Sequence, residues 1–250
     1  MVNKMRKSLS ISIILIATVT LNGCHHTQKG TPSMYEINKI TESLTIDANW
    51  DKDIWKHVPA IKIELYMGVK PEHQPQTEAK LLYDDQAIYV IFRVKDQYVR
   101  AIAKETHGKV WQDSCVEFFF TPDKTIEAGY FNLEMNCGGT FLLNLNTKAR
   151  YGRSLDLADC QQIEFAHTLP KIIDPEITQP TTWCVEYRLP IDIIEKYANV
   201  SRPAPGVIWC ANFYKCADRT SHPHWLTWNK VDHPTPNFHL PEYFGHIKFK

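Results

Sequence analysis

Short runs in which apolar and polar positions alternate dominate the chain, the period of strands with one buried face. In KLLYDDQAIYVIFRVKD a turn at Asp84-Asp85 separates two such runs. Beyond it Ile88, Val90, Phe92 and Val94 share one parity, and Tyr89, Ile91 and Arg93 the other, which predicts a hairpin inside a larger sheet. Further strands are predicted in VEFFFTP, GYFNLEMNC, TFLLNLN, IEFAHTL, TTWCVEYRLP, VIWCANFYKCA and HIKFK, bounded by Pro, Gly, Asn and Asp clusters. The Pro-rich stretch VKPEHQPQTEAK cannot hold a ladder and reads as a loop. The one helical candidate, IDIIEKYA, is short and follows Pro190. Many short strands with little helix predict an all-β fold, an antiparallel β-sandwich of immunoglobulin or jelly-roll type.

The first 24 residues break this pattern. Lys4, Arg6 and Lys7 precede an apolar run from Ile11 to Leu21, and small residues then lead to Cys24. At about a dozen residues the run is shorter than the roughly 20 that span a bilayer, so it reads as an export signal. Leu21-Asn22-Gly23-Cys24 resembles the lipobox of bacterial lipoproteins, with an uncommon Asn in the middle. That resemblance implies lipidation of Cys24 and anchoring in the cell envelope, most simply at the outer membrane on its periplasmic or surface face. Ordinary secretion, with Cys24 unmodified, is the alternative. Residues 25–39 are polar and without period and are expected to be a flexible tether, leaving residues 40–250 as the folded domain.

Composition narrows the function classes. With 44% hydrophobic and 12% aromatic residues, 250 residues fill one sizeable core. The formal net charge of zero offers no field to attract nucleic acid. Besides Cys24, six cysteines (115, 137, 160, 184, 210 and 216) make an even count that permits disulfides in an exported protein, although no dense framework emerges. The absence of a CxxC pair argues against a zinc ribbon or a thioredoxin-like site.

Hydrolase and phosphate-loop motifs are missing, and the ten glycines are scattered. Asp113, Glu117 and Glu134 are the carboxylates from which a glycosidase pair would be drawn, so a glycoside hydrolase or lyase acting on polysaccharide is the alternative to a binding protein. His222, His224, His233 and His239 cluster near the end, where solvated or core histidines are a simpler reading than a transition-metal site. Asp47, Asp51, Asp53, Asp84 and Asp85 are calcium candidates without diagnostic spacing. Aromatics carry more information. Trp50, Trp183 and Trp209 read as packing, whereas Trp111, Trp225 and Trp228 stand at loop edges beside polar side chains. A pyranose offers C–H faces that stack on rings and hydroxyls that need directed partners, so rings with carboxylates and amides suit a sugar.

The order LTIDANWDKDIWKHVPA, AKLLYDDQAIYVIFRVKD, VWQDSCVEFFFTPD, YFNLEMNCGGTFLLN, TTWCVEYRLP, VIWCANFYKC and NFHLPEYFGHIKF resembles the family 9 carbohydrate-binding modules, in particular lipoprotein-anchored members from Bacteroidetes. The resemblance covers nearly all of Ile40 to Lys250. It implies a two-sheet sandwich without catalytic apparatus that holds a mono- or oligosaccharide between two aromatic rings, supporting polysaccharide capture or degradation. Trp111 matches the first ring and Glu117 the hydrogen-bonding carboxylate. The second ring falls at Phe238 by its distance before Pro-x-x-Phe-Gly, with Trp225 and Trp228 as the other candidates. Structural calcium is implied as well; no organic cofactor is expected. Strand parity adds Arg93, Asn132 and Asn136 as polar candidates. Within VWQDSCVEFFFTPD, Val116, Phe118 and Phe120 have core parity, and Trp111, Asp113, Cys115, Glu117 and Phe119 the opposite one.

Overall fold

The computed structural model describes residues 32–148 and 151–250. They hold sixteen strands, which include the predicted runs; Gln76–Tyr83 also takes in the end of the Pro-rich stretch expected to be a loop, starting just after its last proline, Pro75. The first eight are β1 (Met34–Lys39), β2 (Ile61–Lys62), β3 (Leu65–Tyr66), β4 (Gln76–Tyr83), β5 (Ala87–Asp96), β6 (Val99–Ala101), β7 (Cys115–Thr121) and β8 (Tyr130–Asn136). The rest are β9 (Phe141–Lys148), β10 (Tyr151–Ser154), β11 (Glu164–His167), β12 (Ile173–Ile177), β13 (Thr181–Pro190), β14 (Ile208–Cys216), β15 (Trp225–Thr227) and β16 (Gly245–Phe249). The expected helix after Pro190 forms over Ile191–Glu195, where Ile191, Ile193 and Ile194 are buried.

The main path runs β10-β9-β8-β7-β14-β16-β1-β4-β5-β13-β11. β1 is its turning point. Met34–Ile37 pair in parallel with His246–Phe249 of β16, and Asn38–Lys39 pair in parallel with Leu82–Tyr83 of β4. One strand thus passes between two antiparallel halves, and the sandwich is mixed rather than wholly antiparallel. β1 also corrects the expected tether, because residues 34–39 belong to the sheet. Tyr35 and Ile37 are buried while their neighbours are exposed, a two-residue alternation that a polar setting conceals in the sequence.

The inward faces of the two halves make one core. Val116, Phe118 and Phe120 of β7 lie in it, as their parity predicts, with Phe131, Leu133 and Met135 of β8 and Trp209, Ala211 and Phe213 of β14. The other half contributes Val90, Phe92 and Val94 of β5 and Trp183, Val185 and Tyr187 of β13. Phe118 stacks on Phe213 with centroids 4.9 Å apart, and Phe213 meets Phe92 of the opposite half at 6.2 Å. Aromatic truncation at such a junction costs about 3–5 kcal/mol.

One outward face is covered as well. On β5 and β13 the loop containing Trp50 and Trp55 packs over Leu82, Tyr89 and Ile91. Glu186 of β13 lies under it, wholly buried. It accepts the N–H groups of Asp47 and Ala48 at 2.9 and 2.7 Å and the indole N–H of Trp55 at 2.9 Å, and it pairs with Lys52 at 3.0 Å. The outward face of β7 and β8 is different, because it opens into a cavity.

Candidate functional site

The cavity encloses about 450 Å³ over the outward face of β7, β8 and β9. Register builds its floor: Glu117 faces Glu134, Phe119 faces Asn132, and Asn132 faces Asn144. Period two then repeats polar side chains on one face, so Glu117, Asn132, Glu134, Asn144 and Asn146 line the floor with Phe119 and Leu142 between them. Asn146 Nδ2 donates to Asn132 Oδ1 at 2.6 Å, and Asn132 Nδ2 donates to Glu134 Oε1 at 2.8 Å. This relay fixes which way each amide points.

Aromatic walls rise from loops. Trp111, half-buried, stands on a 3-10 turn, Val110–Gln112, just before β7. Trp225 opens β15, and its indole N–H donates to Asp218 Oδ1 at 2.8 Å. Phe238 stacks flat on the buried ring of Tyr214, with centroids 4.1 Å apart and 11° between planes. His239 beside it lies 2.7 Å from the Tyr130 hydroxyl through Nδ1. An amphipathic cavity results, with half-exposed indoles at the side and amides and carboxyls beneath.

The carboxyls are perturbed. Burial pushes Glu134 up to about 7, against the amide of Asn132 that favours its anion. Glu117 is raised well above the usual carboxylate range by burial, then by the charge of Glu134 and by Cys216. Cys216 Sγ lies 3.1 Å from Glu117 Oε1, while Glu117 Oε2 has no hydrogen-bond partner in the protein.

Of the residues singled out in the sequence, Trp111, Glu117, Asn132 and Phe238 meet in this cavity, joined by Trp225. Three others do not reach it. Arg93 points from β5 to the outward face of the other half, where it pairs with Glu78 at 2.7 Å and lies 4.4 Å from the centroid of Trp50. Asn136, the last residue of β8, is buried against the turn that follows: its Oδ1 accepts the N–H groups of Gly138 and Thr140, and its Nδ2 donates to Asp113 Oδ2 at 2.8 Å. Gly139 completes that turn with φ at 82°, a conformation in which a side chain is strained. Trp228 packs on the core against Phe213 at 5.6 Å. Cys24 lies outside the described residues.

The carboxylate trio does not assemble across a cleft. Asp113 is fully buried away from the cavity, holding Ala103 N–H and Asn136, while Glu117 and Glu134 stand side by side on one floor. A glycosidase needs its two carboxyls on opposite sides of the scissile bond. The four late histidines diverge: His222 stacks on Tyr98, His224 is buried with Nε2 2.8 Å from Lys215 Nζ, His233 bonds the Thr235 backbone, and only His239 lines the cavity. Burial and then the Lys215 ammonium push His224 down to about 3, so it is neutral and accepts from the lysine.

The calcium candidates Asp47, Asp53, Asp84 and Asp85 have partners within the protein. Asp47, Asp53 and Asp85 each pair with a lysine, and Asp84 accepts two backbone N–H groups and the Tyr89 hydroxyl. All six cysteines among the described residues are free thiols.

Sequence reading missed Asn144, Asn146 and Asp218, and named His239 only within the histidine cluster. TFLLNLN already placed the two asparagines on one parity and Leu143 and Leu145 on the other, so their shared face was legible. Asp218 and His239 stand in loops, where no period exists.

Over residues 53–249 the chain matches the model of the family described as Carbohydrate-binding family 9. No curated protein matches it. Among solved structures, a Bacteroides uniformis protein described as carbohydrate-binding is similar with a TM-score of 0.79 and 22% identity, over 88% of this chain and 100% of that one. A family 9 module from Caldicellulosiruptor kristjanssonii in complex with cellotriose gives 0.60 and 19%, over 87% of this chain and 94% of its own. The same organism's module in complex with glucose gives 0.60 and 18%, over 87% and 96%. At these identities the likeness is one of fold.

Proposed function

We propose that this chain, which belongs to carbohydrate-binding family 9, binds carbohydrate in the cavity over β7–β9 without acting on it. One observation carries the reading: half-exposed Trp111 and Trp225 border a floor of Glu117, Asn132, Glu134, Asn144 and Asn146. An indole stacks on the C–H face of a pyranose, and the amides and protonated carboxyls supply both donors and acceptors to its hydroxyls. The cavity volume of about 450 Å³ suits a mono- or disaccharide end rather than the side of a long chain. The complexes of the Caldicellulosiruptor kristjanssonii module with glucose and cellotriose make neutral hexose sugars the first ligands to try. A glycan array probed with the purified full chain tests the reading. Signal confined to carbohydrates with an accessible common terminal sugar is expected; a blank array overturns it.

The lipobox-like Leu21-Asn22-Gly23-Cys24 supports tethering through a lipid on Cys24 to the outer membrane, where a binding protein would hold polysaccharide near the cell. Among the described residues no helix is long and apolar enough to cross a membrane. A signal peptidase II inhibitor should make the precursor accumulate, and unaffected processing would contradict anchoring. Nucleic acid is not a partner in this reading, since the charge is balanced.

A further inference from the structure

At the cavity floor Glu117 meets two cysteines, and sugar recognition does not explain that meeting. Cys115 and Cys216 are direct partners across the β7–β14 ladder, and Glu117 follows Cys115 by two residues on the same face. The two sulfurs and one carboxylate oxygen all lie within 4.8 Å of one another, the single group of three such ligands among the described residues. All three are at most 2% exposed.

As protonated groups these three serve one another poorly. A thiol is a weak donor, and Cys216 to Glu117 is the one contact linking thiol and carboxyl, at 3.1 Å. Glu117 Oε2 is left buried without a partner, at a cost of about 1–3 kcal/mol. A divalent ion reverses each of these deficits. Zinc binds thiolate at about 2.3 Å and carboxylate at about 2.1 Å, which in a tetrahedron sets ligand atoms about 3.6–3.8 Å apart. That spacing lies within the bound the three atoms already satisfy. Two sulfurs select borderline and soft ions over calcium and magnesium.

We propose that Cys115, Glu117 and Cys216 form a binding site for a zinc-class divalent ion. Glu117 and Cys216 line the cavity, so an ion enters from it and keeps a coordination position toward it. Binding exchanges the ion for the protons of two thiols and one carboxyl, giving a singly negative site and an affinity that rises with pH. The ion would share Glu117 and the cavity with the sugar, and its binding is read by a different signal.

The test is titration of the reduced full chain with Co(II) alone under anaerobic conditions, followed by Zn(II). One equivalent of cobalt with intense thiolate-to-cobalt charge-transfer absorption is expected, bleached by zinc. Cys216→Ser should abolish the charge-transfer band, and Glu117→Gln should weaken cobalt binding at least tenfold, each with unchanged near-ultraviolet circular dichroism. Should Cys216→Ser fail to fold, Cys115→Ala provides the same loss of thiolate signal. A folded, reduced wild-type chain without the band overturns the proposal, as does a band that survives both cysteine substitutions. A Cys115–Cys216 disulfide that persists after reduction overturns it too.

Discussion

Two buried glutamates, Glu186 and Glu117, occupy outward faces of the two halves of the sandwich, and their surroundings differ in kind. Glu186 lies under the Trp50–Trp55 loop and receives Lys52, two backbone N–H groups and the Trp55 indole. Glu117 receives one thiol, and its second oxygen has no partner. A carboxylate buried for stability needs its donors built into the fold. One left short of donors beside a cavity marks a place where something from outside completes the set. The two faces also use tryptophan differently, since Trp55 is wholly buried while Trp111 and Trp225 keep part of their surface open.

The contrast predicts opposite phenotypes. Glu186→Ala removes the acceptor of four donors and should lower stability by about 3–5 kcal/mol, read by urea unfolding. Glu117→Gln should stay within about 1 kcal/mol of wild type, because it deletes a poorly satisfied acid. Equal losses in the two variants would erase the distinction. Trp111→Ala should weaken sugar binding about ten- to hundredfold, ~1.5–3 kcal/mol, while the chain stays folded. Trp228→Ala should do the reverse, costing stability through its contact with Phe213 and leaving affinity alone.

Protonation separates the faces further. Glu134 is raised from 4.5 to about 7, so between those pH values the folded chain keeps a proton that the unfolded chain has lost. Its contribution to stability is fully present below pH 4.5 and falls as pH rises toward 7, with a slope of about 1.4 kcal/mol per pH unit. Denaturant melts from pH 4.5 to 7 should show that decline, and Glu134→Gln should make it shallower, leaving the part that Glu117, also raised, contributes. A stability that rises across the window in wild type but not in the variant would contradict the assignment. The smallest effect is expected at Arg93, on the closed half: Arg93→Ala should leave sugar affinity unchanged and cost no more than about 1 kcal/mol.

Much of this was legible because parity is local. Val116, Phe118 and Phe120 went to the core and Glu117 and Asn132 to one outward face on alternation alone. Arg93 failed for a non-local reason. Its parity is outward, but which half of the sandwich β5 joins depends on strand order, and β5 lies between β4 and β13, far from β7. Asn136 has the parity of Asn132 and Glu134, yet it ends its strand and is held by the turn around Gly139. Trp111 reaches the cavity through a 3-10 turn, so strand parity was not the cause of its placement. Strand β1 escaped notice since both its partners, β16 and β4, are distant in sequence and only Tyr35 and Ile37 are apolar on the buried side.

The central claim is that the open face over β7–β9 is the carbohydrate site. Isothermal titration of the full chain and of Trp111→Ala with a panel of neutral mono- and oligosaccharides tests it most directly. Saturable heat with the wild-type chain that drops at least tenfold in affinity in a folded Trp111→Ala is the predicted result. No heat with any sugar, or equal affinity in the two proteins, would contradict it.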